Sequence, residues 1–278
     1  MMSYTLARGL KQGEAFEVPR LCRFTGELGL RDVDWITTYG HQPSYVRKVM
    51  DDHGLKTCCY TFFCDLNFPT SKERSAGRDQ FKLGVDTALA LGADGIMLPV
   101  AGKKMFTREM SFRNTIDGLK ECIACADANG VTTTIENFPA ATSPFISSAD
   151  VNRAVGELPQ LRITYDNGNV TTAGESAYDG FANSAKWIVH AHFKDWEICA
   201  GPPWDGASPS LDGLYRKGAL VGEGVVDQLG SLRAMKEYEY AGCINFEYEG
   251  NKYDPWQATR LGVDNMRKMM ATLGIKEG

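Results

Sequence analysis

The stretch VHAHFKDW, Val189 to Trp196, decides how the rest of the chain is read. Val189, Ala191 and Phe193 alternate with His190, His192 and Lys194, the two-residue period of a strand with one apolar and one polar face. The chain has only four histidines, and two of them stand here, one residue apart. A buried strand that turns imidazoles inward must supply partners for them, because a polar group taken out of water without a hydrogen bond is costly.

Three other segments share this construction. VTTTIENFP (131–139) sets Thr132, Thr134 and Glu136 opposite Val131, Thr133 and Ile135. LRITYDNGN (161–169) sets Arg162, Thr164 and Asp166 opposite Leu161, Ile163 and Tyr165. GCINFEYEG (242–250) sets Cys243, Asn245, Glu247 and Glu249 opposite Ile244, Phe246 and Tyr248. Upstream, SYTLAR (3–8), LRDVDWI (30–36), LKTCCYTFF (55–63) and DGIMLPV (94–100) are further strand candidates. Helical patterns separate them at about 19–28, 44–54, 72–91, 107–129, 147–157, 177–186, 225–238 and 255–273.

Eight strands alternating with helices predict an α/β chain, a single (β/α)8 TIM barrel over residues 1–278. The length suits that fold, which typically takes about 250 residues. The exception to short connections is 196–222, rich in Gly, Pro and Trp, which is expected to be a lid loop.

In such a barrel the apolar strand faces meet the helices, the polar faces point inward, and the active site lies at the C-terminal end. Glu136, Asp166, His192 and Glu247 occupy that end of four strands with the same parity. Converging there, they would repel one another without a cation. Three carboxylates and one imidazole make a hard, oxygen-dominated set suited to a divalent ion: Mn²⁺ first, with Mg²⁺, Co²⁺ or Zn²⁺ also workable. His192 is thus placed as a ligand and His190, one pleat deeper, as support. Glu249 shares the parity of Glu247.

Composition narrows the partners. A formal charge of −5 and a pI near 5.5 argue against nucleic acid, whose binders carry basic surfaces. No apolar run approaches the roughly 20 residues of a membrane span, and the first residues lack a secretory apolar core. Eight cysteines are scattered, and the Cys122-x-x-Cys125 pair falls within a helical pattern where packing accounts for it. The expectation is a reduced, cytoplasmic protein.

The succession TIENFP, TYDNGN, HAHFKDW, GEGVVD and INFEYEG resembles the sugar phosphate isomerase/epimerase superfamily with the xylose isomerase-like barrel, whose members include ketose 3-epimerases, keto-inositol dehydratases and endonuclease IV-type enzymes. The resemblance spans essentially the whole chain. It implies Glu136, Asp166, His192 and Glu247 as metal ligands, with Glu136 and Glu247 doubling as proton-transfer groups on opposite faces of a sugar. The implied reaction is isomerisation or epimerisation through an enediolate, with a dehydratase or lyase acting on a keto-sugar, keto-inositol or 3-keto-glycoside as the alternative. Homo-oligomers are common among such proteins. Where ketose 3-epimerases place a substrate-contacting histidine three residues after the ligand aspartate, this chain has Asn169. Where they carry an arginine soon after the ligand histidine, it has Lys194 and Trp196. Asn169, Lys194, Trp35 and Trp196 are therefore the candidate substrate contacts, with Trp204, Arg216, Lys217 and the Gly222-Glu223-Gly224 turn as weaker ones. The three-metal endonuclease site needs more histidines than His41, His53, His190 and His192.

Overall fold

Seven of the eight expected strands form and pair in parallel in a computed structural model that describes residues 1–277. In chain order the elements are α1 (Ser3–Ala7), α2 (Val18–Glu27), β1 (Asp32–Ile36), α3 (Pro43–Asp52), β2 (Lys56–Thr61), α4 (Ser75–Leu91), β3 (Gly95–Leu98), α5 (Arg108–Ala128) and β4 (Thr132–Glu136). They continue with α6 (Ser148–Glu157), β5 (Arg162–Asp166), α7 (Ala177–Ala182), β6 (Ile188–Phe193), β7 (Asp195–Cys199), β8 (Tyr215–Ala219), α8 (Gln228–Glu237), β9 (Cys243–Phe246) and α9 (Pro255–Thr272). The main sheet runs β1-β2-β3-β4-β5-β6-β9. Among the described residues no helix is long and apolar enough to cross a membrane.

The segment SYTLAR, expected as a strand, is helical instead. Closure between β9 and β1 falls to two extended residues: Met2 bridges Asp34, the Asp34 amide donates to Met1 O at 2.9 Å, and the Met2 amide donates to Phe246 O at 3.3 Å. The chain then turns, because its hydroxyls cap neighbouring strand ends. Ser3 Oγ accepts from the Ile36 amide and Thr5 Oγ1 from the Tyr248 amide, each at 2.9 Å. Alternating small polar and apolar residues fit either element, and these long-range bonds decide between them.

The expected lid segment is likewise not a plain loop. After β6 the chain breaks at Lys194 and continues as an antiparallel ribbon, with Asp195 opposite Ala219 and Cys199 opposite Tyr215. Asp195 anchors its return: the carboxylate accepts from the amides of Gly222 at 2.9 Å and of Gly224 and Val226 at 3.0 Å. The Gly222-Glu223-Gly224 turn, one of the weaker candidate contacts, therefore gives its amides to a carboxylate of its own chain.

Strand parity is as expected. Ile135, Ile163, Tyr165, Ala191, Phe193 and Phe246 are buried under the helices, while Thr134, Thr164, His190, His192 and Asn245 are buried on the alternate face. The Cys122-x-x-Cys125 pair lies within α5, and all eight cysteines are free. Packing between layers is tight at Gly84 of α4, where an added Cβ would stand 2.1 Å from the Phe62 ring. Alanine in place of glycine normally favours a helix by about 1 kcal/mol. Here the clash reverses the sign, and Gly84→Ala is expected to cost about 1–3 kcal/mol in urea unfolding. A more stable variant would show that the Phe62 ring yields.

Candidate active site

Each expected ligand owes its place to the sheet. Glu136 ends β4 opposite Thr164, Asp166 ends β5 opposite His192, and His192 lies opposite Asn245 of β9. Glu247 follows β9 directly, its amide donating to Phe193 O at 2.9 Å. One donor atom from each of Glu136, Asp166, His192 and Glu247 lies within 4.8 Å of the others, and all four residues are buried.

Asp34, on β1, was not singled out from the sequence, although the same parity turns it inward. Its Oδ2 lies 2.8 Å from both His190 Nε2 and His192 Nε2, and its Oδ1 accepts from Thr61 Oγ1 at 3.2 Å. Burial by itself would raise the Asp34 carboxyl, but the two histidine hydrogen bonds outweigh it and hold the group well below the usual carboxylate range. An ionised carboxylate only accepts, so both Nε2 atoms carry hydrogen. That leaves His192 Nδ1, 2.8 Å from Glu136 Oε1, as the ring atom that faces the cluster. Despite burial, the hydrogen bonds to Asp34 and Glu136 push His192 well above its ordinary value. His190 is shifted down by burial, which exceeds the effect of Asp34.

Lys194 brings the fixed positive charge. Its Nζ lies 3.0 Å from Glu247 Oε2, 3.3 Å from Asp166 Oδ2 and 3.4 Å from Glu249 Oε2. These carboxylates outweigh burial and hold the ammonium well above its ordinary value. One lysine is not enough for the acids. Burial pushes Asp166 up to about 7 and Glu247 up to about 8, with Lys194 opposing in both cases. Asp166 Oδ2 and Glu247 Oε2 are near enough to Lys194 for ion pairing but out of line for a hydrogen bond, so both remain without one. Buried acceptors left in this state are rare and costly. Three carboxylates and an imidazole nitrogen around one point, two of the oxygens unsatisfied, fit a hard divalent ion that takes the place of the bound protons.

Of the expected substrate contacts, Asn169 follows Asp166 into a 3-10 turn and donates its amide to Asp166 Oδ1 at 2.7 Å. Its side chain is wholly buried with both amide atoms unpartnered. Trp196 stands beside it across Gly168, with Lys194 Nζ 5.5 Å from its ring centre and its indole N–H also unpartnered. Trp35 departs from expectation. It lies on the face of β1 opposite Asp34, packed edge-on against Phe16 at 5.9 Å, so it fills the core rather than stacking on a sugar. Trp204 is exposed in the turn of the ribbon. Arg216 is bound to Asp212 and Lys217 pairs with Glu197 at 3.1 Å, so neither offers a free charge.

The family model for the xylose isomerase-like TIM barrel matches residues 22–269, and the chain belongs to that family. Solved structures with the same fold include 3-keto-D-glucoside 4-epimerase from E. coli, with a TM-score of 0.71 at 17% identity over 93% of this chain and 97% of that one. D-psicose 3-epimerase from Clostridium cellulolyticum superposes with a TM-score of 0.74 at 11% identity, over 92% and 94% of the two chains. The probable 3-DHS dehydratase AsbF from Bacillus anthracis gives 0.74 at 14% identity, over 96% and 97%. No curated protein sequence matches the chain significantly.

Two outcomes follow from this geometry. Asp34→Asn keeps the shape but loses the ionised acceptor for two N–H groups, and should weaken Mn²⁺ binding about 10–100-fold in calorimetry. Unchanged affinity would remove Asp34 from the orientation of His192. Because the ion needs ionised carboxylates and an unprotonated Nδ1, binding should also release about one proton or more per ion near pH 6.5 and tighten as pH rises through the Asp166 and Glu247 range, about 7 to about 8. Calorimetry in buffers of different ionisation enthalpy counts the protons, and a count of zero would contradict the ligand set.

Proposed function

We propose that the protein is a divalent-metal-dependent sugar isomerase or epimerase that removes a proton from carbon beside a carbonyl. The observation that carries this reading is the buried convergence of Glu136, Asp166, His192 and Glu247 within 4.8 Å, with two carboxylate oxygens left unsatisfied. The ion those residues would hold, Mn²⁺ by the hardness of the set, lends Lewis acidity to a carbonyl and its neighbouring hydroxyl.

The rest of the chemistry belongs to the chain. Glu136 and Glu247 rise from strands on either side of β5 and β6, so their carboxylates meet a bound sugar from different directions. One takes the proton to give an enediolate and the other returns it, the arrangement epimerisation needs. Glu247, raised by burial towards neutral pH, suits a group that alternates between acid and base. The unpartnered Asn169 amide and Trp196 indole N–H offer hydrogen bonds to sugar hydroxyls, and Lys194 offers its ammonium to a substrate oxygen. The ribbon β7–β8 serves as a cover over this end of the barrel.

Elimination from a keto-sugar, keto-inositol or 3-keto-glycoside is the second reading. It is favoured by Lys194, an ammonium beside Glu247 that can hydrogen-bond to a departing oxygen and stabilise its negative charge. The test is mass spectrometry of products formed in D₂O with Mn²⁺, across ketoses, keto-inositols and 3-keto-glycosides. Deuterium in an isomeric sugar is the expected result, falling about 10²–10⁴-fold in Glu136→Gln and in Glu247→Gln. Loss of water or of an aglycone would assign elimination instead. Exchange that persists in both variants would remove these carboxylates from the proton transfer.

A further inference from the structure

We infer that Glu249 is a positioning residue of the active site: it holds the Lys194 ammonium to itself, leaving the facing oxygens of Asp166 and Glu247 open to an ion. This role rests on the metal-dependent reading above and goes beyond it, because Glu249 belongs neither to the ligand set nor to the proton-transfer pair.

Three acids surround Lys194 Nζ, and hydrogen bonding ranks them differently from distance. Glu247 Oε2 at 3.0 Å and Asp166 Oδ2 at 3.3 Å are nearer than Glu249 Oε2 at 3.4 Å. Yet the aligned hydrogen bond goes to Glu249, while the other two oxygens accept none. A lysine acting only as a fixed counter-ion would turn its hydrogens to the nearer, drier carboxylates, where an unmet acceptor is costly and a charge-assisted bond is strong. Exposure separates the acids as well: the side chain is 26% exposed for Glu249, against 0% for Asp166 and 5% for Glu247. Glu249 therefore keeps water for its other lone pairs, and it retains Lys194 without adding a dry orphan of its own.

The backbone around Glu249 is built to hold it in place. Arg8 donates to Tyr248 O at 3.1 Å and to Gly250 O at 3.2 Å, gripping the chain on both sides of Glu249. Thr5 Oγ1 takes the Tyr248 amide at 2.9 Å. Strand β8 presses in at Gly218, where an added Cβ would stand 2.4 Å from the Glu249 carbonyl carbon, so that only glycine allows the approach. Gly218 pairs with Trp196 across the ribbon, and the Trp196 ring centre lies 5.5 Å from Lys194 Nζ. One ribbon thus seats both the carboxylate and the ring that flank the ammonium.

The arrangement bears on ion binding. With Glu249 charged, Lys194 has a partner that the ion does not need. With that partner neutral, the ammonium is left to Asp166 and Glu247 and competes with the ion for their oxygens.

A double-mutant cycle read by Mn²⁺ calorimetry separates this competition from simple loss of a negative charge, which would act equally with or without the lysine. Glu249→Gln should weaken binding in the protein with Lys194 by about tenfold more than in the Lys194→Met background. Lys194→Met alone should tighten binding, since a like charge has left the site. Equal shifts in the two backgrounds, a larger shift without Lys194, or no shift at all would overturn the proposal. Crystals of the metal-free protein give a second readout that needs no ion. In Glu249→Gln, Lys194 Nζ should swing into line for a hydrogen bond with Asp166 Oδ2 or Glu247 Oε2, whereas in the wild type it should stay on Glu249. A Lys194 that does not move in the variant would also overturn the proposal. If the wild-type protein binds no Mn²⁺, the metal-dependent reading fails, and the crystal comparison alone decides the role of Glu249.

Discussion

Negative charge gathered at the dry end of a barrel has to be met by positive charge, and this constraint organises the candidate site. Asp34, Glu136, Asp166, Glu247 and Glu249 all approach it, with Lys194 as the lysine among them. Protons make up part of the deficit. Asp166 and Glu247 are pushed up by burial, and His192 is pushed up by its two carboxylate neighbours in spite of burial. Groups held in this way exchange a proton for a metal ion with little rearrangement, because the ion takes over the same neutralising role.

The surrounding fold keeps that charge in register. Parallel pairing from β4 through β9 brings one candidate ligand from each successive strand to the same level, while Asp34 reaches across to two imidazoles. Lys194 and Asp195, adjacent in sequence, do opposite work. The first points at the carboxylates, and the second turns away to hold the amides of residues 222–226. The strand-to-ribbon break at Lys194 makes this division possible, since side chains beyond it no longer follow the parity of β6.

What the sequence made legible follows from periodicity. Where a strand has one apolar and one polar face, counting by two places Glu136, Asp166, His192 and Glu247 correctly on the inner face. Seven strands and the main helices were legible for the same reason. SYTLAR was not, because a five-residue helix held by Ser3 and Thr5 to distant strand ends shows the same alternation as a strand. The ribbon β7–β8 was hidden by its Gly- and Pro-rich turn. Asp34 was passed over in favour of its neighbour Trp35, although a strand presents only one of two consecutive residues inward. Its partners, His190 and His192, lie more than 150 residues away, and no local pattern announces a pairing of that kind.

The ligand set itself is the claim on which the rest depends, and anomalous diffraction from crystals soaked in Mn²⁺ tests it most directly. The account predicts a strong peak bounded by Glu136, Asp166, His192 Nδ1 and Glu247, at about 2.0–2.3 Å from its ligand atoms. It also predicts that Lys194 Nζ moves off Glu247 as the ion takes over part of its charge. Lack of a peak there, with Lys194 still seated between Asp166 and Glu247, would mean that the lysine is the site's permanent cation and that the metal-dependent reading is wrong.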